Sequence, residues 1–172
     1  MAILNEKAEL RARMRRLRRR LAAESPDAGL RLAAHLPEDL IPADAVVALY
    51  RPMGAEIDPG SLAQAGRTVV YPVVLEPDAP MIFRAGETSP PLRPDVIFAP
   101  LIAFDLRGGR LGQGGGHYDR TLAALRAGGP VRVIGVAYAG QEVPRVPAEP
   151  HDMALDAILT ETGFIRVDKE AP

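Results

Sequence analysis

The segment GGRLGQGGGHYDR, residues 108–120, sets six glycines among Arg110, Tyr118, Asp119 and Arg120. Glycine has no Cβ, so its backbone N–H groups can approach an anion closely and line a concave nest. Helical periodicity begins at about Asp119, and the positive end of that helix would face the same point. Arg110 adds a guanidinium suited to two-point contact with a phosphate. A flexible surface turn accommodates the same residues, and on glycine count alone it is the commoner outcome. Two nucleotide motifs are excluded. The only lysines are Lys7 and Lys169, so there is no G-x-x-x-x-G-K-[ST]. A G-x-G-x-x-G also fails, because His117 or Asp119 falls where the third glycine should stand.

Other residues have types and spacings suited to ligand chemistry. Lys7, Arg11, Arg15 and Arg18 follow one another at four, four and three positions, one side of a helix. Such a row fits a cleft wall and a solvated face equally well. Asp119 closes the glycine loop, and one or two carboxylates beside substrate phosphates are the usual holders of Mg²⁺. Asp152, in EPHDMALD (149–156), suits that role or a helix cap. Glu56, in YRPMGAEID (50–58), fits either a solvated loop acid or an acceptor for a polar ligand edge. The three histidines form no sequence cluster, and the absence of cysteine removes disulfides and thiolate chemistry.

The elements that must position these groups are legible in outline. The chain has 172 residues, 47% of them hydrophobic, enough for one well-buried domain. A formal net charge of −1 gives no general reason for a nucleic-acid or membrane partner. No apolar run approaches the roughly 20 residues of a bilayer span, and the N-terminus has no signal-like apolar core, so a cytoplasmic protein is expected. Leu10, Met14, Leu17 and Leu21 make an apolar stripe through a helix over 5–23. Ser25-Pro26-Asp27 reads as the cap and first turn of a second helix, ended by Pro37. Short apolar runs at 45–50, 68–74, 95–100 and 131–138 read as buried strands, with two more near the C-terminus and a helix over 119–127. The expected fold is a single three-layer α/β/α domain over 1–172 with a largely parallel sheet, Rossmann-like but without a dinucleotide fingerprint. Ligands of such sheets bind beyond the carboxyl ends of the strands, where residues 108–119 would lie.

K-x-x-L-R (7–11), EID (56–58), PLIAFD-x-x-G-x-RLG-x-G-x-G-x-YD (100–119) and VP…HD (146–152) occur in consistent order, and together they resemble the 5-formyltetrahydrofolate cyclo-ligase family. The resemblance implies an enzyme that uses ATP as co-substrate and Mg²⁺ to convert 5-formyltetrahydrofolate into 5,10-methenyltetrahydrofolate, ADP and phosphate. A non-catalytic nucleotide-binding or sensor domain is the alternative. The resemblance implies an ATP site built from Lys7, Arg11, Arg110, Leu111, Gly112, Gln113, Gly114, Gly115, Gly116, His117 and Tyr118. Within it Lys7, Arg110 and Tyr118 would be catalytic. Arg11, Arg51 and Glu56 would contact the folate, and Asp119 and Asp152 would hold the metal. A monomer acting on a small folate, with no nucleic-acid or membrane partner, is implied. The family's usual GYYD reads Gly116-His117-Tyr118-Asp119 here, position 113 is glutamine, and the segment from Phe83 to Asp95 is shorter than in the family.

Overall fold

In the computed structural model, residues 2–64 and 67–167 are described; the outer limits of the expected domain, residue 1 and residues 168–172, lie outside them. A seven-stranded sheet runs in the order β3-β2-β1-β4-β7-β8-β9. Its strands are β1 (Val46–Ala48), β2 (Thr68–Val73), β3 (Ile82–Arg84), β4 (Val96–Pro100), β7 (Arg132–Val136), β8 (Ala157–Thr160) and β9 (Gly163–Arg166). β2, β1, β4, β7 and β8 are mutually parallel, and β3 and β9 close the two edges antiparallel. The fold is therefore a single α/β domain with a mixed, largely parallel sheet.

Alternation along the strands builds two cores. Val47, Phe98, Ile134 and Leu159 face one side, where Ala28 and Leu32 of α2 (Ala28–His35) cover them. Ala48, Ile97, Val133 and Ile158 face the other, packed against Leu122 and Leu125 of α3 (His117–Ala127). Strands buried on both faces need continuous apolar runs, which is why these segments show little hydrophobic–polar alternation.

α1 (Ala2–Glu24) begins earlier than the apolar stripe suggested. Leu10 and Met14 pack on Ile102, Ala103, Leu111, Val143 and Val146, with Leu17 alongside. That surface includes an antiparallel ribbon of β5 (Ala103–Phe104) and β6 (Arg110–Leu111), so part of the stretch read as loop is strand. Asp105 locks its turn: the buried carboxylate accepts the N–H groups of Arg107 and Gly109 at 3.0 Å each and of Val146 at 2.8 Å. The stretch Ser25–Asp27 precedes α2 rather than forming its first turn. Asp27 makes no side-chain cap and pairs with Arg31. Leu36 is already extended, as the residue before Pro37 must be.

Candidate active site

β1 leads to β2 on one side of the sheet, and the chain then crosses β1 to enter β4 on the other. This change of direction opens a crevice at the strands' carboxyl ends, the usual ligand position in open parallel sheets. A cavity of about 710 Å³ occupies it, walled by residues following β1, the end of β2, the end of β4, the glycine loop and α1. Every residue that the family resemblance assigns to the site lines this cavity: Lys7, Arg11, Arg51, Glu56, residues 110–119 and Asp152. Arg15 and Arg18, the other members of the basic row, are not among its lining residues.

Gly116 explains how the loop turns into the helix. It stands at the N-cap of α3 with φ 66°, and Gly114 has φ 108°, backbone that side-chain-bearing residues rarely adopt. α3 therefore begins at His117, two residues before the expected start. Asp119 lies in its first turn rather than at its cap. The loop is held against α1 by arginines. Arg11 Nε donates to the Gly112 carbonyl at 2.9 Å, and Arg15 donates to the Gln113 carbonyl at 3.2 Å and side-chain oxygen at 3.0 Å. Arg120 braces it from below, donating to the carbonyls of Gly115 and Pro77.

The opposite wall is set by carboxylates. Buried Lys7 donates to Asp152 at 2.6 Å and Glu149 at 2.8 Å. Burial opposes its charge, but hydrogen bonds and attraction from both carboxylates outweigh this and raise the ammonium above its usual range. Asp152 shows the mirror case: burial opposes ionisation, while the Lys7 hydrogen bond and the Glu149 N–H leave its carboxyl below the ordinary value. The hydrogen bond from Lys7 also lowers Glu149. Glu149, His151 and Asp152 each offer one donor atom, all within 4.8 Å of one another. Asp119 belongs to a neighbouring arrangement. It pairs with Arg110 and accepts the Met153 N–H at 3.0 Å, while Arg110 Nε donates to the Met153 carbonyl at 3.1 Å. Asp119 and Asp152 are thus connected through the main chain of residue 153.

Asp152 gives a testable pH dependence. Its folded value is depressed, so its stabilisation is complete above the unfolded value near 3.8 and is lost as pH falls through the folded value. The unfolding temperature is expected to drop across that acid range, and Asp152→Asn to flatten the drop. Parallel acid profiles for the two proteins would dismiss the Lys7–Asp152 pair as a source of stability.

Glu56 is nearly enclosed. Oε2 accepts the Met53 N–H at 3.0 Å; Oε1 accepts Gln113 Nε2 at 3.2 Å and lies 3.5 Å from Arg18. Tyr118 is raised well above an ordinary tyrosine by burial and then by the Glu56 charge, so at neutral pH its hydroxyl is a donor rather than a base. Arg51 lies over the Tyr71 ring, 4.4 Å from its centre. Leu4, Met53, Val74 and Met81 supply an apolar side to the same cavity. Sequence reasoning missed this apolar side. It also missed Glu149, whose link to Lys7 spans 142 positions. The short spacing of Glu149, His151 and Asp152 was the one available signal.

An open, largely parallel sheet with a crevice of this size at its switch point places the chain among the open-sheet α/β proteins. More particularly, the chain belongs to the 5-formyltetrahydrofolate cyclo-ligase family and is a homologue of those enzymes. The family's sequence model matches residues 85–161. The 5-formyltetrahydrofolate cyclo-ligase of Mycolicibacterium smegmatis is 36% identical over 145 residues, 66% of this chain and 72% of that protein. The solved 5,10-methenyltetrahydrofolate synthetase of Mycoplasma pneumoniae superposes with TM-score 0.74 at 28% identity, over 90% of this chain and 98% of that one. The NMR structure of the Aquifex aeolicus 5,10-methenyltetrahydrofolate synthetase gives TM-score 0.77 at 25% identity, over 96% and 95%. No helix among the described residues is long and apolar enough to cross a membrane.

Proposed function

We propose that this chain catalyses the ATP-dependent cyclisation of 5-formyltetrahydrofolate to 5,10-methenyltetrahydrofolate, releasing ADP and phosphate. The observation that carries this reading is the joining, in one crevice, of a glycine loop, a basic helix face and a buried carboxylate beside an apolar wall. In a chain of this family, those features suit a polyphosphate at one end and a flat heterocycle at the other.

The chemistry needs no protein nucleophile. The formyl oxygen is a poor leaving group until the terminal phosphoryl group of ATP is transferred to it. Attack by N10 on the activated carbon then closes the ring, N10 gives up its proton, and the C–O bond breaks to release phosphate, which can carry that proton away. Phosphoryl transfer depends mainly on positioning and charge stabilisation. The backbone of Gly114–Gly116 and the N-terminus of α3 would cradle phosphate. Lys7, Arg11 and Arg110 would spread the transferring charge. Glu56 would accept the amino-pyrimidinone edge of the pterin, with Arg51 at the same end, while Tyr118 donates a hydrogen bond. The carboxylates of Asp152 and Glu149 suit a hard cation, and Mg²⁺ bound beside them, with Asp119 as a further ligand from the neighbouring arrangement, would neutralise phosphate oxygens.

The deciding experiment follows the absorbance of methenyltetrahydrofolate with 5-formyltetrahydrofolate, ATP and Mg²⁺. ATP binding without product would instead mean a non-catalytic nucleotide module. Glu56→Gln is expected to lower kcat/KM for the folate by an amount equivalent to about 1.5–3 kcal/mol, because a donor replaces one acceptor oxygen. An unchanged folate value with an altered ATP value would assign Glu56 to the nucleotide.

A further inference from the structure

We propose that Arg18 is a positioning residue for folate recognition, acting from behind Glu56 to fix its carboxylate toward the cavity. The inference rests on the assignment of Glu56 to the folate. Arg18 continues the row of Lys7 and Arg11 along α1, but it differs from them in place: they line the cavity and it does not. Its side chain is 8% exposed and that of Glu56 3%, with NH1 3.5 Å from Oε1. The same NH1 donates to the Leu101 carbonyl at 3.2 Å, immediately after β4. Gln141 Nε2 donates to that carbonyl too, at 2.9 Å, and to Ile102 at 2.9 Å. Arg18 thus spans the crevice floor between the end of β4 and the loop after β1.

Two features argue that this arginine does more than fill space. Its Nε is buried and has no hydrogen-bond partner among the described residues, a cost that a buried leucine or methionine would not carry. Its charge is also drawn down by burial and supported chiefly by Glu56, so the two ions depend on one another in a confined place. The Glu56 side of that dependence faces the cavity, where the Met53 N–H and the Gln113 amide already hold its oxygens in a fixed plane. A carboxylate accepts about four hydrogen bonds, so lone pairs remain for a ligand's paired donors once the plane is set. Without the cation behind it, Oε1 would lose its charged partner, the neutral contacts to Met53 and Gln113 would hold the carboxylate less firmly, and acceptance of those donors would weaken.

The test is a double-mutant cycle read in steady-state kinetics and in thermal unfolding. Arg18→Met is expected to raise KM for 5-formyltetrahydrofolate about tenfold or more, with KM for ATP within about twofold of the parent. Arg18→Lys should recover part of the loss, because it restores the charge without the planar fork. In a Glu56→Gln background Arg18→Met should change folate kcat/KM less than about twofold, since its effect passes through the carboxylate. This double variant buries no unpaired charge, so it stays informative if Arg18→Met alone folds poorly. An equal folate loss in both backgrounds, or an equal rise in both KM values, overturns the proposal. If Glu56→Gln alone leaves folate kcat/KM intact, the assignment of Glu56 falls and this inference with it. A loss in Glu56→Gln that Arg18→Met repeats independently overturns only the role of Arg18.

Discussion

Replacing Lys7 by methionine is expected to reduce cyclisation by about 10²–10³-fold, the usual effect of deleting one preorganised charge from a transferring group. Lys7 is buried and holds two carboxylates at 2.6 and 2.8 Å, so its ammonium is fixed in place before any phosphate arrives. Methionine keeps the stem and removes the charge, leaving Asp152 and Glu149 to repel one another. Lys7→Arg preserves charge but not the compact point geometry, and should retain intermediate activity. Steady-state kinetics beside thermal unfolding separates two roles. A less stable protein with unchanged kcat/KM would make Lys7 a clamp between α1 and the segment at 149–152, with no part in catalysis.

Asp119→Asn should also lower kcat by about 10²-fold or more, with a smaller loss of stability, about 1–3 kcal/mol. The side chain keeps its size and can still accept the Met153 N–H, but its charge no longer balances Arg110, whose side chain is 4% exposed. A helix cap would tolerate asparagine. Here Gly116 occupies the cap, and the Asp119 oxygen is directed at Arg110 and Met153. A rise in the Mg²⁺ concentration needed for half-maximal rate would tie Asp119 to the metal. Unchanged kcat with reduced stability would restrict it to holding Arg110.

Much of this architecture is legible in the sequence because burial on both faces leaves a plain mark. The runs at 45–50, 68–74, 95–100 and 131–138 correspond to β1, β2, β4 and β7, each trimmed by one to several residues at its ends. β5 and β6 left no such mark, since two residues cannot display a period. Their pairing depends on Asp105 accepting main-chain N–H groups, which no hydrophobic pattern reports. β3 is three residues long and follows a proline-rich stretch, so it too reads as loop. Within the cavity, glycines and basic residues were visible because their types are unusual where they stand. Contacts such as Lys7–Glu149 and Arg18–Glu56 were not, because they join segments that only the sheet's crossover brings together.

The clasp on residue 153 has a consequence for what this chain can tolerate. Arg110 and Asp119 grip the main-chain carbonyl and N–H of that residue, not its thioether. Any residue that presents an ordinary peptide can be held this way, and proline alone lacks the N–H. Partial packing of the Met153 side chain against the core favours an apolar occupant but sets no further demand. One wall of the crevice is therefore anchored by a main-chain joint that asks of its side chain little more than apolar character. Substitutions there can accumulate while Asp152, one residue earlier, keeps its place opposite Lys7.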